Sequence, residues 1–272
     1  MSKAKSATPQ LRLRIFAGPN GSGKSTIIRA VQKTSVEGNP IDFGYYINAD
    51  DITQELRKNK FSFARFGLKV KAEKFEEFAL KSGLINEGFT EEEFRKAYRL
   101  ERNSISLLLK DKAEHMGQVI ARFLREELLR LKRRFSFETV FSHASNLDIM
   151  RRAAQEGYKV YLYFVSTESA EINKYRVALR VKNHGHNVPE DKIVERYRRS
   201  LELMYNAAEL AYQAFFFDNS KADAPFDLVA HFKKRGDEKI WEEIDKEKLT
   251  GWFKKFYLAK AKEEKSKSQR GQ

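Results

Sequence analysis

The sequence predicts an α/β fold, a parallel sheet with helices on both faces and an inserted helical subdomain. Three observations predict it. Leu11-Arg-Leu-Arg-Ile-Phe-Ala17 alternates and then turns fully apolar, as a buried strand does, and a glycine-rich turn leads from it into a helix-forming run. Strand-like and helix-like segments then follow one another as β-α-β-α-β-α-β-α-α-β, the order of a parallel sheet with crossover helices. Residues 58–112 are charged and helix-forming with no strand signal, a longer stretch than a crossover between neighbouring strands needs. The expected organisation is a disordered N-terminus over 1–10, one domain over 11–259 carrying the insertion at about 58–112, and a disordered basic tail over 260–272.

Taken in order, strand 1 covers 11–17 and its helix ends near Lys33. Gly38, Pro40 and Gly44 mark 35–44 as a loop. Phe43-Gly-Tyr-Tyr-Ile47 is aromatic and β-branched and reads as strand 2. It ends at Asn48-Ala-Asp-Asp51, where Asp51 is placed to cap the helix that continues to Arg57. Within the insertion Phe61, Phe66, Phe75 and Phe78 supply apolar faces. Thr90-Glu-Glu-Glu93 is a capping box that opens a long helix lined by Phe94, Ala97, Tyr98, Ile105, Leu108 and Leu109. Residues 115–134 form an amphipathic helix, 133–141 strand 3, and 147–156 a helix closed by Gly157. Tyr158-Lys-Val-Tyr-Leu-Tyr-Phe-Val165 is strand 4, 170–181 a basic helix, and 189–214 a long helix. Phe215-Phe-Phe-Asp-Asn-Ser220 ends strand 5, and 227–255 mixes a short strand and a helix.

Composition narrows the function classes. The chain has 272 residues, 41% of them hydrophobic, enough for a sizeable core. It has no cysteine, which excludes disulfides and thiolate metal sites. No apolar run approaches the ~20 residues of a membrane span, and Met1-Ser-Lys-Ala-Lys-Ser6 lacks a signal-peptide core, so the expectation is a cytoplasmic protein with no membrane partner. Lys and Arg number 52 against 38 Asp and Glu, a net +14 spread along the chain, which attracts polyanions.

Gly18-Pro-Asn-Gly-Ser-Gly-Lys-Ser-Thr26 fits G-x-x-x-x-G-K-[ST], with Gly18, Gly23, Lys24 and Ser25 at the fixed positions. Between a strand and a helix this pattern makes an anion cradle from consecutive backbone N–H groups and the helix N-terminus. The whole run, Gly18, Pro19, Asn20, Gly21, Ser22, Gly23, Lys24, Ser25 and Thr26, is the expected ATP site. Lys24 reaches the β- and γ-phosphates and the Ser25 hydroxyl holds Mg²⁺. In parallel sheets ligands gather at the carboxyl ends of the strands. That rule collects Lys24, Asp50, Glu138, Ser166-Thr167 and Asp218-Asn219. Asp50 is the candidate base that takes a proton from an attacking hydroxyl. Glu138, following Phe135-Ser-Phe137 on strand 3, is read as standing in for the usual Mg²⁺-side carboxylate, acting through water or toward the substrate hydroxyl. Arg176 and Arg180, four apart on one helix face, are candidate lid arginines that neutralise the transferring phosphoryl group. His184 and His186 do not have metal-ligand spacing, and His186 reads as structural in its turn.

With these residues together the chain resembles the zeta toxin / UDP-N-acetylglucosamine kinase family, in particular its chromosomal predicted ABC-type ATPase branch. The matching pieces are Gly18–Thr26, Tyr46-Ile-Asn-Ala-Asp-Asp-Ile52, Phe137-Glu-Thr139, Arg176-Val-Ala-Leu-Arg-Val181 with Gly185-His-Asn-Val-Pro189, Arg196-Tyr-Arg-Arg-Ser-Leu201 and Phe217-Asp-Asn-Ser220, in family order. The resemblance implies a P-loop kinase with Asp50 as catalytic base, Lys24, Arg176 and Arg180 on the phosphates, and Glu138 with Thr139 at the acceptor. It departs at the 58–112 insertion and at Thr139-Val-Phe-Ser-His143, where the family's sugar-nucleotide kinases carry a small polar run with an arginine.

The expected function is therefore ATP·Mg²⁺-dependent phosphorylation of a hydroxyl on a small molecule such as a nucleotide sugar, with an antitoxin protein as a candidate partner. Two rivals stand beside it. A nucleic-acid 5′-hydroxyl kinase is motivated by the +14 charge, though nucleic acid is not the favoured partner. A non-catalytic ATP-binding module would use the insertion to engage a partner protein.

Overall fold

The computed structural model describes residues 10–183, 187–221, 226–244, 247 and 249–270. His184, Gly185 and His186, and residues 1–9 of the expected disordered N-terminus, lie outside the described residues. The chain forms two compact units, one from the stretches before 44 and after 137, the other from Gly44–Phe137. The division thus falls at 44 and 137, wider than the insertion expected at 58–112, because strand 2 and its helix pack with the inserted segment.

The first unit opens with β1 (Arg12–Ala17), α1 (Lys24–Lys33) and a two-residue hairpin, β2 (Ser35–Val36) and β3 (Asn39–Pro40). The second holds β4 (Tyr45–Ile47), α2 (Ala49–Lys58), β5 (Lys60–Ser62), α3 (Ala72–Lys81), α4 (Glu91–Ala97), β6 (Tyr98–Glu101), β7 (Ser104–Leu107), α5 (Ala113–Arg130) and the start of β8 (Phe135–Thr139). The chain then returns to the first unit with α6 (Ser145–Gln155), β9 (Lys159–Ser166), α7 (Ala170–Lys182), α8 (Glu190–Leu210), β10 (Gln213–Asp218), β11 (Asp227–Arg235) and β12 (Glu238–Ile244). It ends in α9 (Gly251–Phe253), which runs through a π-helical turn over Lys254–Leu258 into α10 (Ala259–Arg270).

In the first unit β1 pairs parallel with β9, from Arg12 opposite Lys159 to Ala17 opposite Phe164, and β9 pairs parallel with β10. These strands are buried nearly throughout, as their unbroken apolar runs require. Helices α1, α6 and α8 pack on them. β11 then adds antiparallel to β10 and β12 antiparallel to β11, so the parallel sheet gains an antiparallel extension instead of the single short strand expected over 227–255. The signal is the turn between them, where Gly236 adopts φ 61° and lets Arg235 and Glu238 face each other. The tail expected to be disordered over 260–272 is helical as far as Arg270. Its Lys260–Glu264 and Glu263–Lys267 pairs lie four apart and support a helix that has no buried face.

In the second unit β4 pairs parallel with β8. Helices α2 and α5 pack closely: a Cβ on Gly117 would lie 2.1 Å from Thr53 Oγ1 and 3.0 Å from Ala49 O. The inserted segment carries a three-stranded antiparallel sheet in the order β5-β7-β6, which corrects the all-helical expectation. The capping box at Thr90 is present, with Glu93 N donating to Thr90 Oγ1 and Thr90 N donating to Glu93 Oε2. Its helix stops at Ala97, however, and Tyr98 and Ile105 sit on strands. The reason is the two-residue turn at Arg102 and Asn103, both at positive φ, which folds β6 onto β7. Asn103 also fastens the hairpin by accepting from Val70 N (2.8 Å) and donating to Leu68 O (2.8 Å). Phe61, Phe63, Phe75, Phe94 and Phe123, all but fully buried, make an aromatic core with edge and tilted ring contacts.

Candidate nucleotide-binding site

β1 ends at Ala17 and the glycine-rich turn carries the chain into α1, whose N-cap is Gly23 at φ 93°. Only glycine fits there. A Cβ on Gly23 would lie 2.0 Å from Asn219 Nδ2, and one on Gly21 would lie 2.6 Å from the carbonyl of Asn173. The turn is thus clasped by the chain that follows β10 and by α7.

Lys24 sits at the foot of the turn and is 8% exposed. Its ammonium donates to Gly18 O (2.9 Å) and Pro19 O (3.1 Å) and stands 3.8 Å from Glu138 Oε1. A buried cation needs such partners, since an unpaired one is costly to desolvate. Two candidates from distant parts of the sequence, Lys24 and Glu138, therefore meet. Ser25 and Thr26 are exposed on the first turn of α1.

Asn219 holds the turn from outside. Its side-chain amide donates to Ser22 O (2.9 Å) and its backbone N–H donates to Ser166 O (2.9 Å). Its carbonyl accepts from the Arg176 guanidinium (2.6 Å), which also donates to Lys221 O (3.0 Å). One residue so connects the turn, the end of β9 and helix α7. Arg176 is an anchor of α7 in this arrangement, while Arg180 is exposed one turn further along. Asp218, grouped with the site by position, is buried and accepts from Trp252 Nε1 (2.8 Å) and from Ser220, so its carboxylate serves the fold. Thr139 likewise serves its own turn: Phe141 N, in a residue at φ 60°, donates to Thr139 Oγ1 (3.1 Å).

Three buried polar atoms around the turn have no partner among the described residues: Asn20 Oδ1, Ser22 Oγ and Asn173 Nδ2. Each such atom costs about 1–3 kcal/mol until something satisfies it. The residues fit a bound phosphate chain, which would meet backbone N–H groups, a paired lysine and these polar atoms. The Ser25 hydroxyl and the Glu138 carboxylate are hard oxygen donors of the kind Mg²⁺ takes alongside phosphate and water. Among the described residues no group of three or more His, Cys, Asp or Glu forms an all-protein metal site.

No family model matches the chain. A curated, uncharacterized protein of Haemophilus influenzae is 35% identical over 63 residues, which is 23% of this chain and 45% of that one. The crystal structure of AvrRxo1-ORF1:AvrRxo1-ORF2 with sulphate ions superposes with a TM-score of 0.51 at 14% identity, over 86% of this chain. This chain spans 61% of that solved chain. A structure of the PezAT chromosomal toxin-antitoxin system of Streptococcus pneumoniae aligns at a TM-score of 0.44 and 14% identity, over 94% of this chain and 82% of that one. The first likeness supports the α/β fold.

Asp50 and Asp51 belong to the second unit. The cap of α2 is Asn48, not Asp51: its Oδ1 accepts from Asp50 N at 2.8 Å. Asn48 is extended, at φ −131°, as a capping residue is, and this places both aspartates in the first helical turn, where negative charge suits the helix dipole. Asp51 lines a cleft of about 390 Å³ with Tyr45, Tyr46, Asn48, Arg65 and Phe66. Partial burial pushes its carboxyl above the usual aspartate range, the neighbouring Asp50 adds to this, and Arg65 opposes it.

Sequence reasoning placed Asn219 at a strand end without a role, and passed over Asn173 altogether. An amide directly after a strand-terminal Asp was the available signal for Asn219. Asn173 carries none, since its importance comes from burial against the turn.

Proposed function

We propose that the chain is an ATP-dependent phosphotransferase that moves the γ-phosphate to a hydroxyl of a small molecule such as a nucleotide sugar. The observation that carries this reading is Lys24, buried beneath a glycine-rich turn and paired with Glu138. Gly18–Thr26 holds the phosphates of ATP, with Lys24 neutralising the β/γ oxygens. Ser25 and Glu138 would hold Mg²⁺, which when bound would supply charge neutralisation to the phosphate oxygens. Asp50 takes the proton of the acceptor hydroxyl as its oxygen attacks the γ-phosphorus and the bond to ADP breaks. Glu138 meets the acceptor, and Thr139, whose Oγ1 accepts from Phe141 N, shapes the turn beside it. Arg180 supplies lid charge, and Arg176 joins it by releasing the carbonyls of Asn219 and Lys221.

A protein partner of antitoxin type is part of the reading: one solved structure of similar fold is that of AvrRxo1-ORF1 with AvrRxo1-ORF2. No described helix is long and apolar enough to cross a membrane, and the reaction proposed is one of the cytoplasm. The net charge of +14 favours a nucleic-acid 5′-hydroxyl as the second acceptor class.

The test is incubation of the chain with γ-labelled ATP, Mg²⁺ and a cell extract, followed by identification of the labelled compound. Asp50→Asn lowers transfer by about 10²–10⁴-fold and spares ATP binding. Retained transfer in that variant removes Asp50 from the mechanism. Label recovered only as free phosphate removes the phosphotransfer reading.

A further inference from the structure

The second unit builds a cleft from two parts of the sequence. Tyr45, Tyr46, Asn48 and Asp51 come from β4 and the start of α2, and Arg65 and Phe66 from the inserted segment. The cleft is constructed, not incidental. The Arg65 guanidinium lies over the rings of Phe61 (4.7 Å) and Phe66 (5.1 Å) and pairs with Glu55 at 2.5 Å, so its position is fixed before anything binds. Gly67, at φ 64°, follows shortly after it, and a Cβ there would lie 2.8 Å from the Tyr45 hydroxyl. That hydroxyl is thereby held over bare backbone. The amide of Asn48 is spent on the helix cap through Oδ1, which turns its Nδ2 toward the Tyr46 hydroxyl at 3.5 Å.

The chemistry of the lining selects an occupant. Tyr45 and Tyr46 are half-buried and present ring and hydroxyl together, a surface for a sugar or nucleoside ring. Asp51 accepts hydrogen bonds from ligand hydroxyls. Arg65 is the single cation among the lining residues; Glu55 holds one of its terminal nitrogens, and the remaining N–H donors of the guanidinium suit one phosphate. A second phosphate would meet no further counter-charge in that lining and would face the Asp51 carboxylate. The volume, about 390 Å³, is near the low end of the roughly 300–1,000 Å³ of ligand sites, enough to seat one ring and its phosphate.

We propose that this cleft binds a hydroxylated ring carrying a single phosphate, a sugar or nucleoside monophosphate, with Arg65 of the inserted segment as the phosphate contact and Asp51 as the hydroxyl contact. The phosphotransfer reading supplies the role of this ligand, as acceptor. The insertion thereby contributes the residue that reads the acceptor's anion.

The experiment is calorimetric titration of the full chain, without ATP or Mg²⁺, with glucose 1-phosphate, uridine 5′-monophosphate, glucose and UDP-glucose. At least one monophosphate binds, and glucose and UDP-glucose bind more weakly. Arg65→Gln weakens the monophosphate by about 10-fold or more, the worth of a charge-assisted hydrogen bond, and Arg65→Lys restores part of the loss. Asp51→Ala, at an exposed position where folding is not at stake, weakens it by about 10-fold. Lys24→Met leaves the affinity unchanged, which separates the cleft from the glycine-rich turn. No binding by either monophosphate at about 10 mM, or loss in Lys24→Met with Arg65→Gln and Asp51→Ala unaffected, overturns the proposal. Failure of the phosphotransfer reading looks different: the monophosphate binds with this variant pattern but gains no label from ATP.

Discussion

Replacing Gly23 by alanine tests how the glycine-rich turn is held, because the structure assigns the cost to two separable causes. The first is conformational: Gly23 has φ 93°, and an L-residue in the left-handed region costs about 1–2 kcal/mol. The second is contact. The new Cβ would stand 2.0 Å from Asn219 Nδ2, whereas ordinary contact begins at 3.4 Å. The amide must swing away and give up its 2.9 Å bond to Ser22 O, worth about 1 kcal/mol. Gly23→Ala should therefore cost about 2–3 kcal/mol. Asn219→Ala alone loses the same bond, about 1 kcal/mol, but removes the obstacle. The double variant should cost no more than Gly23→Ala, leaving a coupling of about 1 kcal/mol. Urea unfolding of the four proteins without nucleotide reads this directly. Trp241 and Trp252, the chain's two tryptophans, both lie in the first unit and report on its unfolding. Additivity within about 0.5 kcal/mol would refute the idea that Asn219 braces the turn.

Two further expectations follow from packing and burial. Gly117→Ala places a methyl 2.1 Å from Thr53 Oγ1 in the seam between α2 and α5; overpacking of about 1–3 kcal/mol should outweigh the roughly 1 kcal/mol gained in helix propensity, and a higher melting temperature for the variant would contradict that geometry. His231 stacks on Phe215 at 3.9 Å, and its burial lowers its pKa below 6.5 despite Glu242. Below pH 6.5 the unfolded chain binds a proton that the folded one refuses, so the contribution of His231 is fully present above that pH and is lost as pH drops toward the lowered value, by at most about 1.4 kcal/mol per pH unit. His231→Gln should flatten this dependence in melts taken from pH 7.5 to 5; an unchanged profile would place the titration elsewhere.

The glycine-rich turn, the buried strands around it, the helix closed by Gly157 and the basic helix over 170–181 were legible in the chain because each rests on local pattern: apolar runs, fixed spacing, positive-φ glycines. Lys24 and Glu138 were identified separately by type and position, and β8 delivers Glu138 to the lysine. The hairpin at Arg102 and Asn103 was not legible, since neither residue is the glycine that usually marks such a turn, and the flanking segments carry enough charge to read as helix. The antiparallel strands β11 and β12 were blurred for a similar reason: their alternation is weak and their charge high at the sheet edge.

By itself the sequence determined that a glycine-rich turn of phosphate-binding pattern lies between a strand and a helix, which lysine it carries, and that an acidic pair follows the next strand. Those features depend on neighbours in the chain, so they survive without coordinates. The tertiary structure decided which partners complete them. It set Asn219 against Gly23 across 196 residues of separation (219 − 23), gave the cap of α2 to Asn48, made Arg176 an anchor, and brought Arg65 of the insertion beside Asp51. Such contacts have no local signature, because burial and long-range packing select them only after the chain has closed.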